Sequence, residues 1–208
     1  MDKSTGERRF LHWTGACERD EPIVSPEALA GAACLLVDGC QLSSALGAAE
    51  EANRLSIPVV SDVGRITDAN RPLMERVNYA IVPEMCARRL DAGDDLRKAC
   101  EAIRAMGPAC AVITLGEKGL LALDDDGFVQ MDAFDVDVAD TTGAGDVFHG
   151  AFCFGLLRGL STRRNLAFSS AVAAMKCRHV GGRAGIPTYA EVRQFLADRG
   201  VDLARELA

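Results

Sequence analysis

The chain lacks an excess of basic residues and any long uncharged apolar run. Its 208 residues carry a formal net charge of −7, and the sequence pI is near 5.0. Nucleic acids and anionic membrane surfaces attract proteins through clustered Lys and Arg, so neither is expected as a partner. No apolar run reaches membrane-spanning length, and the first residues lack the apolar stretch of a secretory signal. We therefore expect a cytoplasmic protein.

Closely spaced cysteine pairs are also absent, although the chain contains eight cysteines. No two of them form a C-x-x-C pair, and His12 and His179 have no companions at metal-ligand spacing. Several cysteines, such as Cys34 and Cys110, lie inside apolar runs, where a free thiol behaves as a small core hydrophobe. The sequence therefore predicts reduced thiols and favours neither a disulfide framework nor a zinc site.

Short apolar runs alternate with longer amphipathic ones, which is typical of βα units around a mainly parallel sheet. No internal repeat or low-complexity tract interrupts this order, so we expect one domain over residues 1–208. The segment at 118–134 predicts two short strands joined at Asp126-Gly127, a dipeptide that suits a tight hairpin. The other predicted strands are 33–39, 57–62, 78–83 and 109–116, and the predicted helices are 42–56, 94–106, 146–158, 162–179 and 189–198.

The segment DTTGAGDVFHGAF, residues 140–152, places small residues directly before a helix. Gly143, Ala144 and Gly145 leave the N–H groups of the helix N-terminus bare, so a phosphoryl group can approach them. Asp146 stands beside them, where a carboxylate can accept a proton from an attacking hydroxyl. Packing alone also explains such a turn, since Asp is an ordinary residue at a helix start, and both interpretations stay open. The two commonest nucleotide loops, G-x-x-x-x-G-K-[ST] and G-x-G-x-x-G, are absent here.

A second candidate loop is TLGEKG, residues 114–119. It follows an apolar strand and supplies two glycines, which allow the backbone to come close to a bulky neighbour. Ligands of α/β folds lie outside the carboxyl ends of the strands, where such loops are found. Both loops are therefore expected to face the same ligand site.

Taken together, these segments resemble the ribokinase-like (PfkB) family of carbohydrate kinases. Residues 140–146 match its D-T-x-G-A-G-D signature, and residues 112–119 resemble its T-x-G-x-x-G nucleotide loop. Residues 173–187, AAMKCRHVGGRAGIP, are similar to the helix and loop beside its adenine pocket. The resemblance implies a ribokinase-like three-layer αβα fold and ATP-dependent phosphorylation of a hydroxyl on a sugar or related small polyol. The runs QMDAF, MKC and GGRAGIP are most similar to the branch that includes ketohexokinase and sulfofructose kinases.

The resemblance also assigns roles to individual residues. It makes Asp146 the base that removes a proton from the sugar hydroxyl attacking the γ-phosphate of ATP. The remaining matches are Gly143, Ala144 and Gly145 in the anion hole, Thr114, Gly116, Glu117, Lys118 and Gly119 along the ATP phosphates and ribose, and Ser170 and Cys177 beside adenine. Asp140 and Thr142 match ligands of a monovalent cation such as K⁺, although a strand end with a turn-forming hydroxyl is the favoured interpretation of that pair.

Two departures from the family pattern bear on activity. At the family's N-x-x-E motif this chain has Pro83 and Cys86, with Glu84 nearby, which weakens the inference of Mg²⁺ binding. Glu84 itself is expected to be a helix-start residue. The resemblance covers only the C-terminal two-thirds of the family's fold, and the N-terminal part contributes sugar contacts, the lid and the usual homodimer interface. A truncated nucleotide-binding or pseudokinase domain without sugar turnover is therefore the alternative.

Other conspicuous residues have simple interpretations. His149 follows Asp146 on the same helix and is expected to be a surface or packing histidine, because no partner is visible in the sequence. The acidic run at 124–126 is expected to be a solvated hairpin tip, since the further oxygen ligands of a Ca²⁺ loop are absent. Phe10 and Trp13 are expected to pack in the core or at a sheet edge.

Overall fold

The computed structural model describes residues 26–90 and 94–203, which form a six-stranded sheet between two layers of helices. The sheet follows chain order, β1 to β6, with β1 to β4 parallel and the last two strands antiparallel. The strands are β1 (Leu35–Val37), β2 (Val59–Asp62), β3 (Tyr79–Pro83), β4 (Cys110–Thr114), β5 (Leu120–Asp124) and β6 (Gly127–Met131). The helices are α1 (Leu42–Arg54), α2 (Arg71–Met74), α3 (Glu84–Ala87), α4 (Leu96–Arg104), α5 (Ala144–Leu157), α6 (Thr162–Cys177) and α7 (Tyr189–Ala197).

The central strands are mainly apolar, as expected for strands that are covered by helices on both faces of the sheet. Val82 and Ile113 face the layer formed by α1 to α4, whereas Ile81 and Val112 face α5 and α6. Phe152 of α5 is fully buried on that second face. Burial of a side chain of this size stabilises the fold by roughly 1.5–3 kcal/mol. The three-layer arrangement expected from the sequence is therefore confirmed for the described residues.

The hairpin between β5 and β6 turns one residue earlier than the sequence predicts. Asp124 pairs with Gly127, so the loop consists of Asp125 and Asp126, and Gly127 opens β6 with a φ of 109°. Glycine is suited to that left-handed region because it has no β-carbon. Both loop carboxylates are exposed, and Arg104 Nη2 lies 2.7 Å from Asp125 Oδ1. The solvated tip is confirmed.

Helices α5 and α6 pack closely because Gly155 has no side chain. A β-carbon on Gly155 would lie 1.8 Å from Asn165 Oδ1 of α6. The buried Asn165 amide instead donates to the carbonyl of Phe152 at 2.9 Å. This contact helps to fix the position of α5, including its first turn, relative to α6.

The predicted elements agree with the structure except at their ends and in the shortest pieces. Helices α5, α6 and α7 begin within two residues of their predicted starts. The one-turn helix α2 was missed, because a single turn has too few residues to show a period, whereas the start of α3 at Glu84 was expected. Four cysteines are core residues as expected: Cys86, Cys100, Cys110 and Cys177. Phe10, His12, Trp13 and Cys17 lie outside the described residues.

Candidate active site

The first turn of α5 is preceded by a glycine that the backbone requires. Gly143 caps the helix with a φ of 73°, in the left-handed region that side chains disfavour. A β-carbon on Gly143 would also lie 3.0 Å from the carbonyl oxygen of Gly182. Conformation and close packing therefore both select glycine, and the turn lies directly beneath the loop that follows α6.

Three amides at this turn remain available to a ligand. Among the described residues, none offers a hydrogen-bond acceptor to the N–H groups of Gly143, Gly145 and Asp146. The amide of Ala144 is different, because it donates to Thr141 O at 3.2 Å. Bare N–H groups and the positive end of the helix dipole together favour an anion. The turn thus offers the N–H groups of Gly143, Gly145 and Asp146, while that of Ala144 has a partner in the chain. The anion hole assigned from the sequence stays a prediction.

Asp140 anchors the turn to the loop after α6. Its Oδ1 accepts from Thr142 N at 2.9 Å and from Thr142 Oγ1 at 2.7 Å, and its Oδ2 accepts from Gly181 N at 2.8 Å. The amide of Gly181 and the two donors of Thr142 hold the pKa of this carboxyl well below its usual range. Asp140 is therefore a charged acceptor that fixes the turn.

Lys176 is one of the residues of this region that the sequence analysis missed. It lies in the last turn of α6 and is fully buried. Its Nζ donates to Asp140 O at 3.0 Å and also to Thr142 O. The available signal was a lysine at the end of the largely apolar segment AVAAMKC, since a buried lysine needs a specific partner.

Asp146 is exposed and borders a cavity of about 620 Å³. The wall beside it is one face of α5, formed by Gly150 and Phe154. Phe168 of α6 and Tyr189 of α7 complete an apolar lining. The Asp146 carboxylate is therefore open to a small molecule that approaches the bare amides.

His149 has partners that the sequence did not reveal. It is 4% exposed, and its Nδ1 lies 2.8 Å from Gly145 O. Its Nε2 lies 3.4 Å from Asp62 Oδ1 and 3.4 Å from Ile81 O. His149 is therefore a packing residue, one of the two expected interpretations. Its partners were not visible in the sequence, because β2 and β3 reach α5 only in the folded chain.

Asp62 belongs to a group of titratable side chains beside the same turn. Burial raises its pKa, the nearby ring of His149 opposes that shift, and the carboxylates of Asp146 and Asp38 add to it. Asp38 and Asp62 lie in the last two positions of the predicted strands 33–39 and 57–62, and that position at a strand end was the signal in the sequence. The carboxylates of Asp38 and Asp146 therefore both lie close enough to Asp62 to influence its pKa at the carboxyl edge of the sheet.

The loop at residues 114–119 lies at that same edge, because β4 pairs in parallel with β3. Gly119 has a φ of 90°, and a β-carbon there would lie 1.9 Å from Met131 O. The bulky neighbour of this glycine is therefore β6 of the same sheet. Gly116 also has a left-handed φ, of 62°, but faces open space, and Glu117 and Lys118 are exposed. Their contact with nucleotide, and that of Thr114, stays a prediction.

The two residues assigned to adenine lie on α6. Cys177 is buried, and its carbonyl accepts from the amides of Ala139 at 2.8 Å and Asp140 at 3.0 Å. The main chain at Cys177 thus holds the residues that lead into the turn at 140–146, the predicted anion turn. Ser170 is half-buried, and neither residue lines the cavity beside Asp146. Their approach to adenine stays a prediction.

The segment that replaces the N-x-x-E motif forms the end of β3 and the start of α3. Glu84 begins α3 and pairs with Arg88 at 2.6 Å, so its interpretation as a helix-start residue is confirmed. Cys86 is buried in the core.

Within residues 26–90 and 94–203, no group of three or more His, Cys, Asp or Glu side chains is arranged to hold a metal ion. The described helices include none that is long and apolar enough to cross a membrane.

Comparison with known families identifies the fold to which this site belongs. Residues 76–189, more than half of the chain, match the model of the pfkB family of carbohydrate kinases. The chain belongs to this family. The matched region contains the loop at 114–119, the anion turn and Lys176.

Curated pfkB relatives and a solved structure agree with that assignment. The chain is 33% identical to ribokinase of Lactococcus lactis over 92 residues, which is 44% of this chain and 31% of the relative. It is 35% identical to a nucleoside kinase of Methanothermobacter thermautotrophicus over 101 residues, which is 48% of this chain and 32% of the relative. A putative ribokinase from Agrobacterium tumefaciens superposes with a TM-score of 0.77 at 27% identity, over 85% of this chain and 59% of that one.

The ribokinase-like αβα fold predicted from the sequence is therefore confirmed. The aligned segment spans about a third of the length of these curated relatives. The narrower likeness to the ketohexokinase and sulfofructose kinase branch stays a prediction, as does a single domain over the whole chain.

Proposed function

We propose that this pfkB protein transfers the γ-phosphoryl group of ATP to a hydroxyl of a small sugar or a sugar-containing compound such as a nucleoside. The observation that carries the proposal is the group of three bare amides beside the exposed carboxylate of Asp146. Phosphoryl transfer depends on positioning and on stabilisation of charge, and this turn supplies both. The names of the relatives, among them ribokinases and a nucleoside kinase, support the same substrate classes.

In the proposed reaction, the amides of Gly143, Gly145 and Asp146 hold the oxygens of the transferred group. The Asp146 carboxylate accepts the proton of the attacking hydroxyl as the new oxygen–phosphorus bond forms. The bond between the γ-phosphorus and its bridging oxygen breaks, and ADP leaves with that oxygen. Asp146 then releases its proton to solvent, because its side chain is exposed.

Mg²⁺ enters this proposal as a companion of the nucleotide. Such ions are usually held by substrate phosphates with one or two carboxylates and retained water, so they need few protein ligands. Asp146 on the turn and Asp62, whose pKa it influences, supply up to two carboxylates for that limited role. When bound, the ion neutralises phosphate charge, whereas binding of the transferred group and removal of the proton are done by the chain.

Replacement of Asp146 by Asn tests the function. Loss of the base is expected to lower kcat by about 10²–10⁴-fold, while ATP affinity persists because the amides remain. A coupled assay for ADP over a panel of sugars and nucleosides measures the first quantity, and calorimetry with ATP measures the second. Asp126→Asn, at the exposed hairpin tip, is the matched control and is expected to leave both unchanged.

Two outcomes would contradict the proposal. Wild-type kcat in Asp146→Asn would remove Asp146 from the mechanism. Nucleotide binding by the wild-type chain without ADP production from any compound of the panel would instead support the nucleotide-binding or pseudokinase alternative.

A further inference from the structure

Lys176 is buried away from water, so its charged ammonium needs other polar groups as partners. The side chain is 0% exposed, and an ammonium is stable there only where polar atoms replace its hydration shell. Nζ lies 3.0 Å from Asp140 O and also donates to Thr142 O. The position in the last turn of α6 adds the negative end of that helix dipole. Main-chain carbonyls and a helix end thus stabilise a positive charge at this point.

The same point has the character of a monovalent cation site. Carbonyl oxygens that converge on one position can replace the hydration shell of K⁺. Here the carbonyls of Asp140 and Thr142 converge on the Lys176 ammonium, which has three protons to donate. The turn is therefore supplied with a cation by its own chain.

The side chains assigned to a separate cation are also engaged. Both carboxylate oxygens of Asp140 accept hydrogen bonds, one from Gly181 N and the other from Thr142 N and Oγ1. A metal ion bound there would have to compete with these donors and with the ammonium of Lys176. The residues present do not fit the monovalent ion that the family resemblance implies.

We propose that the Lys176 ammonium is an internal cation that holds the turn at 140–142 in its anion-binding shape, so that this chain takes up no monovalent metal ion there. Lys176 is a positioning residue in this assignment, because it contacts the carbonyls behind the turn and leaves the bare amides to the ligand. This inference depends on the proposed function only in the measurements of nucleotide binding.

The wild-type chain provides the first test. Its thermal midpoint and its affinity for a fluorescent ATP analogue are measured in potassium chloride and in choline chloride at equal ionic strength. Choline is too large and too poorly coordinating to replace K⁺ between two carbonyls. We expect the same midpoint and the same affinity in both salts. A midpoint that rises saturably with potassium chloride and not with choline chloride would overturn the proposal.

A charge-removing variant provides the second test. Lys176→Met keeps an apolar stem of similar length and removes the ammonium, so its midpoint in choline chloride is expected to fall by about 5 °C or more. Potassium chloride is expected to restore part of that loss, because the two carbonyls are then left without a cation. Arg178→Met is the matched control, since Arg178 is exposed at the same helix end, and it is expected to show neither effect.

The outcomes separate this inference from the proposed function. A Lys176→Met chain that melts like wild type in choline chloride, or that is destabilised equally in both salts, would reduce Lys176 to a packing residue and overturn the proposal. If that variant does not fold, the comparison of salts on the wild-type chain still decides. Failure of the wild type to bind ATP in either salt counts against the proposed function alone, because the melting temperatures report on the cation without nucleotide.

Discussion

His149 Nε2 lies 3.4 Å from Asp62 Oδ1 and so links the first turns of α5 to the end of β2. The other ring nitrogen, Nδ1, lies 2.8 Å from Gly145 O. Both ring nitrogens thus lie near oxygen atoms of other residues. The orientation of the turn that carries Asp146 therefore depends on a contact with the sheet.

We expect His149→Leu to lower the free energy of unfolding by about 1–3 kcal/mol, because it leaves the half-buried Asp62 without its partner. Urea unfolding at neutral pH measures the change. Asp62→Asn and the double variant complete a mutant cycle, in which contacting residues are expected to show a coupling energy of at least about 0.5 kcal/mol. Strictly additive effects would show that the two side chains do not interact.

Gly155→Ala is expected to destabilise the protein by about 1–3 kcal/mol, since the added methyl group would overlap Asn165 Oδ1. Gly150→Ala is the control in the same helix, because a β-carbon there meets open space. That control is expected to be neutral or stabilising by up to about 1 kcal/mol, the helix-propensity difference between Gly and Ala. Equal stability of the two variants would contradict the close contact between α5 and α6.

Substitution by alanine is expected to have different effects at the two glycines of the anion turn, Gly145 and Gly143. Gly145→Ala meets no protein atom within 4 Å, so the melting temperature is expected to persist. The new methyl group would occupy space beside the bare amides, and ATP affinity is expected to fall about tenfold, which is about 1.4 kcal/mol. Calorimetry measures the affinity. Unchanged ATP binding in a folded Gly145→Ala chain would place the phosphates elsewhere.

Gly143→Ala is expected to behave differently. Its φ of 73° disfavours a side chain, and its β-carbon would crowd Gly182 O. Stability and ATP affinity should therefore fall together, with a stability loss of about 1 kcal/mol or more. A Gly143→Ala chain as stable as wild type would show that the turn does not need the left-handed conformation.

The lowered pKa of Asp140 predicts a pH dependence of stability. Because this carboxyl is more acidic in the folded state, its contribution is present above the ordinary pKa of aspartate and is lost as the pH falls through the folded value. Asp140→Asn should therefore be less stable than wild type at neutral pH, and the difference should shrink in acid. Unfolding by urea at several pH values measures it, with Asp126→Asn as a control that keeps the wild-type profile. A difference that stays constant with pH would contradict the assignment.

Local features of this protein are readable from the amino-acid order. The small residues at 143–145 and the helix after them predict an anion turn, because left-handed glycine and a helix N-terminus involve only neighbouring residues. The alternation of buried strands and amphipathic helices likewise predicts the layered fold. The spacing of apolar residues indicates which side of each helix or strand is buried. Strands that are buried on both faces predict a sheet between two layers of helices.

Contacts between distant segments are not readable in this way. Lys176 meets Asp140 across 36 positions of the chain, and His149 meets Ile81 across 68. Nothing in the spacing of those residues predicts the pairing, since it follows from the packing of α6 and α5 against other elements. Folding places an ammonium under the turn and an imidazole beside it because these buried polar groups require partners that only the assembled layers provide.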